Sequence, residues 1–334
     1  MARRRATVPA AALALALALT VAGCSSSGGK DSEEKSNPSG STGKSVGTPR
    51  LKIAMITHAG QGDTFWDIVK KGAQQAAAKD NVEFLYDSSN QAQKQAESVQ
   101  TYIDKKVDGI IVTLAKPEAM KDVLGKAKQA GIPVVTINSG GDFSAKFGAL
   151  SHIGQDESVA GEAVGTELAK RGKKKAICVI HEQGNVSLEQ RCAGAKKTFG
   201  GAMSKLYVEG TNMPDVLSTI TSKLQSDKSI DSVVALGAPF AATAAKAAKD
   251  VGSKAEIDTF DLNAEVVKQL KSKEIGFAVD QQPYLQGYLA VDELWLNKYN
   301  ANVLGGGKPV LTGPAIVTDK DVPALEKFTA RSTR

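Results

Sequence analysis

Leu51-Lys52-Ile53-Ala54-Met55-Ile56-Thr57 is followed by His58-Ala59-Gly60-Gln61-Gly62-Asp63-Thr64-Phe65-Trp66 and then by an amphipathic run to Lys79. The first seven residues are a short apolar run, which reads as a buried strand. Glycines then open a loop, and a helix over 65–79 follows. The same unit repeats along the chain. Strands are expected at 82–86, 109–112 and 134–138, with helices at 92–106 and 117–130, the last opened by Pro117 at its first turn. The rhythm restarts after His152. Asp156 is placed to cap a helix running to about 171, and strands follow at 176–181, 205–208, 232–236, 256–260 and 275–279. Strands alternating with helices predict parallel sheets covered on both faces, and about ten strands in two runs predict an α/β chain of two doubly wound lobes.

The residues before 51 have a different texture. Arg3, Arg4 and Arg5 precede an apolar stretch from Val8 to Ala22 and the small-residue run Val21-Ala22-Gly23-Cys24. That is the layout of an export signal over 1–23. The apolar stretch of about 15 residues falls short of the roughly 20 that a membrane-spanning helix needs. The cysteine after the small residues resembles the lipobox of bacterial lipoproteins, in which Cys24 would carry the lipid and hold the protein at a membrane. Residues 24–50, rich in Ser, Gly, Lys and Glu, then read as a flexible tether spanning on the order of 28 Å. Gly40-Ser41-Thr42-Gly43-Lys44-Ser45 only imitates a phosphate-binding loop, because Pro38 stands where the first glycine is required and no strand or helix flanks it.

Composition excludes several classes. The three leader arginines account for half of the formal net charge of +6, and no basic block with interleaved aromatics points to nucleic acid. Two cysteines besides Cys24, together with three scattered histidines, do not form a metal cluster. Cys178 and Cys192 could form a disulfide in an exported protein or remain two buried thiols; spacing alone does not decide. His58, His152 and His181 lack a nucleophile elbow, so a hydrolytic triad is not expected. Asp261 and Asp280 could in principle be an acid/base pair, but the sequence does not measure their separation.

In doubly wound sheets, ligands bind beyond the carboxyl ends of the strands. Those ends carry Asp63, Phe65 and Trp66; Thr113; Asn138 and Ser139; His181 to Asn185, with Arg191 on the next helix; Asp261; and Asp280 and Gln281. Hydroxyls, amides, carboxylates and one arginine beside aromatic faces suit a neutral polyhydroxylated ligand. Adjacent residues on a helix point about 100° apart, so one of Phe65 and Trp66 is expected in the core and the other on the cleft wall.

From about Leu51 to Val317 the chain resembles the periplasmic sugar-binding proteins of the ribose- and galactose-binding type, the type 1 periplasmic binding fold. The resemblance rests on Asp63-Thr64-Phe65-Trp66, Gly131-Ile132-Pro133-Val134-Val135, Ile153-Gly154-Gln155-Asp156, Arg191-Cys192-Ala193-Gly194, Phe260-Asp261 and Asp280 to Gly287. It implies two lobes joined by a three-segment hinge: 51–153 plus 284–310, and 154–283 plus 311–334. It implies a site lined by the positions of Asp63, Phe65, Trp66, Thr113, Asn138, Arg191, Asp261 and Gln281, with Ser139 and Asp280 beside them. It also implies a monomeric, non-enzymatic binder without cofactors that closes on a monosaccharide or sugar alcohol and delivers it to an ABC permease and its ATPase. A receptor subunit that signals to a membrane protein is the alternative of the same fold. Asn138-Ser139 stands where ribose binders carry a carboxylate–arginine pair, and Gly237 where they carry asparagine. Ribose itself is therefore doubtful, and another sugar or a sugar alcohol is expected.

Overall fold

Residues 47–60 and 63–334 are described by the computed structural model. The export signal, Cys24 and the tether up to residue 46 lie outside the described residues, as do Gln61 and Gly62. The expected alternation is realised as strands β1 (Leu51–Thr57), β2 (Val82–Ser88), β3 (Gly109–Val112), β4 (Val134–Ile137), β5 (His152–Gln155), β6 (Lys175–Ile180), β7 (Ala202–Tyr207), β8 (Ser232–Ala235), β9 (Glu256–Phe260), β10 (Ile275–Asp280), β11 (Val310–Gly313) and β12 (Ala315–Val317). Between and after them lie helices α1 (Thr64–Lys79), α2 (Ala92–Asp104), α3 (Pro117–Gln129), α4 (Gly141–Ser144), α5 (Glu157–Lys170), α6 (Val186–Phe199), α7 (Met213–Ser226), α8 (Ala238–Asp250), α9 (Ala264–Ser272), α10 (Pro283–Asn300) and α11 (Val322–Thr329).

The strands form two six-stranded sheets, ordered β11-β5-β4-β3-β1-β2 and β12-β10-β9-β8-β6-β7. All pairings are parallel except β10 with β12. The central strands β3, β4 and β8 are buried throughout, which explains their unbroken apolar runs. The chain crosses between sheets after β5, after β10 and between β11 and β12, through a cis Gly313-Pro314 bond. β5 and β11 both belong to the first sheet, so the first lobe reaches Gln155 and Gly313, two to three residues beyond the boundaries expected from sequence. The last residues of the segment expected to be a tether are held in place. Thr48 and Pro49 are fastened to the first lobe by Asn81, Trp295 and Tyr299, at 2.8, 3.2 and 2.6 Å.

Each lobe has one helix pair packed backbone to backbone. A Cβ on Gly72 of α1 would collide with the carbonyl of Tyr284 on α10, and one on Gly287 with that of Val69. In the second lobe, Gly161 and Gly165 of α5 meet the carbonyls of Arg191 and Ala195 on α6, and Gly194 meets that of Ser158. The second pair matters for the cleft, because α5 carries Glu157 and α6 carries Arg191. The same helix is fastened to its sheet by a disulfide between Cys178 on β6 and Cys192, with Cα atoms 5.9 Å apart. Of the two states left open by spacing, the pair adopts the bridged one. Closing a loop of this size contributes about 3 kcal/mol on the chain-entropy account.

Candidate ligand-binding site

A cavity of about 610 Å³ lies between the carboxyl ends of the two sheets, within the size range of small-molecule sites. Helix caps bring several of its residues to the wall. Asp63 caps α1 by accepting from Phe65 N at 3.1 Å, and Asn185 caps α6 by accepting from Ser187 N at 3.0 Å. Phe65 is half-buried and Trp66 lies in the core, the division expected from sequence, and both also line the cavity. Trp66 is 5 % exposed and belongs to the first-lobe core. Its ring stands perpendicular to Phe65 at 5.0 Å, so a single aromatic corner uses both. At the start of a helix abutting the cleft, two directions 100° apart can both reach the opening.

The polar floor is a relay that crosses the hinge. Ser139 Oγ donates to Asn138 Oδ1 at 2.8 Å, and Asn138 Nδ2 donates to Gln281 Oε1 at 3.0 Å. Gln281 Nε2 donates in turn to Asp261 Oδ1 at 2.7 Å. Asn138 follows β4 in the first lobe, Asp261 follows β9 in the second, and Gln281 lies in a crossing segment. Asn138 and Asp261 adopt left-handed backbone, with φ of 60° and 69°. Asn and Asp are among the side-chain-bearing residues that tolerate this conformation best, and here both side chains join the relay.

Arg191 lines the cavity, but its fork is occupied. Nε and Nη2 donate to Glu157 at 2.6 and 3.0 Å, and the guanidinium lies 4.5 Å over the Phe260 ring. Nη1 reaches Leu236 O at 3.4 Å. Thr113 and Asp280 do not reach the wall. Thr113 Oγ1 is buried behind it, bonded to His58 N, to His58 Nδ1 and to Gln95 Nε2 at 3.0, 2.8 and 3.0 Å. It positions His58, which does line the cavity. Asp280 accepts from Gln282 N at 2.9 Å and pairs with Arg334 at 2.7 Å, so it braces the hinge. Sequence reasoning left His58, Ser187 and Phe240 out of the site, and quoted His181 at a strand end without counting it among the ligand-binding residues. It weighed both histidines only as members of a hydrolytic triad.

The lobes also touch beside the cavity. Val186 N donates to Ala115 O at 3.0 Å, Gln190 donates to Asp142 at 2.8 Å, and Lys116 pairs with Glu182 at 3.2 Å.

Burial sets the charge of the wall. It pushes the Asp63 carboxyl up to about 6 and the Asp261 carboxyl up to about 7, the latter opposed by Arg191. It also lowers His58 and holds His181 down at about 3. Near neutral pH the imidazoles carry no charge, and the two lining cations, Arg191 and Lys116, are paired with Glu157 and Glu182. Such a wall offers hydrogen bonds and apolar faces, and both of its cations are already paired, so no free cation awaits an anionic ligand.

His152, buried behind Asn138 with Nδ1 3.0 Å from Thr136 Oγ1, is held down at about 4 by burial. That lies below the value of about 6.5 for an unfolded chain. The unfolded chain therefore takes up the proton first, and the stability contributed by the neutral ring is lost as pH falls from about 6.5 towards 4. The thermal midpoint of His152→Gln relative to wild type should rise as pH is lowered through that window. A difference independent of pH would contradict the assignment.

A profile of the periplasmic binding protein domain matches residues 53–297. The chain belongs to this family. Its members are solute binders that work outside the cytoplasm, and the chain is accordingly a binder and not an enzyme. The ribose import binding protein RbsB of Bacillus subtilis is 26% identical over 76% of this chain and 83% of its own length. A carbohydrate transporter structure from Acidothermus cellulolyticus 11B, in complex with myo-inositol, is 49% identical over 86% of this chain and all of that one, with a TM-score of 0.85. A solute binding protein from Burkholderia graminis, in complex with D-arabinose, is 25% identical over 81% of this chain and 96% of that one, with a TM-score of 0.74.

Proposed function

We propose that this periplasmic binding protein captures a neutral polyhydroxylated ring, a monosaccharide or cyclic polyol, and delivers it to the membrane permease of an ABC importer. The observation that carries this reading is the cavity between the lobes, which has an aromatic corner on the first lobe, a hydrogen-bonding relay shared by both, and cations that are already paired. Asp63 and Asn138 serve the ligand from the first lobe, Asp261 from the second and Gln281 from the hinge, while Phe65 and Trp66 pack its C–H face. The similarity to a chain that holds myo-inositol supports a cyclic polyol as the first ligand to try. Capture works by hinge closure, because only contacts made to both lobes at once favour the closed form. ATP hydrolysis belongs to a separate subunit. Lipid on Cys24 and the tether hold this monomeric receptor near its permease.

A thermal-shift panel of pentoses, hexoses and cyclitols tests the reading. A ligand at 100 times its Kd adds about 2.7 kcal/mol of stability, so at least one compound should raise the midpoint by several degrees. No shift with any polyhydroxylated compound would sink the proposal.

A further inference from the structure

Two positions without a side chain hold a stacked pair against the second-lobe wall. His181, just after β6, lies 4.0 Å from Phe240 of α8, with the rings 14° apart. A Cβ on Gly237 would come within 3.2 Å of Phe240 Cδ2 and 3.5 Å of His181 Cε1. One on Gly210 would come within 2.5 Å of the His181 carbonyl oxygen and 3.2 Å of Phe240 Cζ. The backbone at Gly237 is extended, with φ of −176°, so its conformation does not demand glycine. The space it leaves is what the stacked pair uses.

Both rings line the cavity, as do Arg191 and Asp261. Among the described residues, neither ring nitrogen of His181 has a hydrogen-bond partner, and Nδ1 is shut off from solvent. A buried bare N–H is rarer and costlier than a buried bare lone pair. The proton therefore belongs on Nε2, the nitrogen left to serve the cavity. Burial, Arg191 and His58 all disfavour a second proton, so the ring keeps this neutral form.

We propose that His181 determines ligand specificity by donating its Nε2–H to one ring hydroxyl of the bound polyol. The inference rests on the polyol reading above and adds the residue that selects among polyols. A site built to bond one hydroxyl discriminates against the analogue that lacks it, because the donor is then left unpaired. Phe240 fixes the plane of the donor, and Gly237 and Gly210 make room for both rings.

The test is a calorimetric titration of the purified protein, His181→Phe and His181→Gln with myo-inositol and each of its monodeoxy derivatives. His181→Phe should weaken myo-inositol binding about 10- to 100-fold, in line with a lost buried hydrogen bond. For the one derivative lacking the contacted hydroxyl, wild type and His181→Phe should bind equally. His181→Gln keeps a donor and should recover part of the affinity; it also serves as the second variant if phenylalanine disturbs the stack. Should wild type bind while His181→Phe loses nothing, or loses equally on every derivative, this assignment alone is overturned. A wild-type protein that binds no polyhydroxylated ring overturns the function and this assignment together.

Discussion

Asp261→Ala should weaken ligand binding by about two to four orders of magnitude and leave the protein folded. A hydrogen bond to an ionised group contributes about 1.5–3 kcal/mol, and a carboxylate that accepts from two ring hydroxyls accounts for roughly twice that, at 1.4 kcal/mol per factor of ten. The variant would also strand Gln281 Nε2, whose bond to Asp261 Oδ1 is 2.7 Å long. Asp261→Asn tolerates the left-handed backbone and keeps one acceptor, so its loss should be smaller. Stability should move the other way. Burial raises Asp261 to about 7, above the value near 3.9 for an exposed aspartate. The folded state therefore holds the proton more tightly than the unfolded one, and this stabilising contribution is lost as pH rises from about 4 through 7. At pH 8, ligand-free Asp261→Asn should melt higher than wild type, exchanging stability for function in the way binding sites often do. Titration calorimetry and a melting curve on the same sample check both halves. Unaltered affinity would remove Asp261 from the site.

Arg191→Met has the larger structural consequence. Arg191 and Glu157 both have side chains 4 % exposed, and they are joined by two hydrogen bonds. Removing one partner of such a pair leaves an uncompensated buried charge and costs about 3–5 kcal/mol. For a lobe of this size that corresponds to a midpoint lower by on the order of 10 °C. Adding Glu157→Gln removes the stranded charge, so the double variant should regain most of the stability. It should not regain full affinity, because the guanidinium beside Asp261 is still missing. A double variant as unstable as the single one would mean that packing against Phe260, 4.5 Å away, and not charge, is what Arg191 supplies.

The doubly wound architecture was legible because each central strand is an unbroken apolar run bounded by a helix cap or proline, as in Gly109–Val112 followed by Pro117. β5 and β11 escaped explicit prediction. His152-Ile153-Gly154-Gln155 and Val310-Leu311-Thr312-Gly313 have polar or glycine positions where a buried strand ordinarily shows apolar ones. These strands run into the hinge, so their polar groups serve the crossings, and the lobe boundaries moved with them.

Within the cavity, the strand-end rule located Asp63, Asn138, Arg191 and Asp261 because it depends on topology alone. It could not show that the Arg191 fork is closed on Glu157, 34 residues away, since that pairing exists only once α5 and α6 pack. Nor could it separate Thr113, which faces His58 behind the wall, from residues on the wall itself. Gly237 looked like a lost asparagine. In three dimensions it is the space that admits the His181–Phe240 stack.

The most direct test of the account is a calorimetric titration of the purified protein with myo-inositol, ribose and arabinose at neutral pH, followed by recovery of the ligand. The account predicts saturable binding of a neutral polyhydroxylated ring at one site per chain, with the ligand released chemically unchanged. Absence of binding across neutral polyols, or a ligand altered on release, would contradict it.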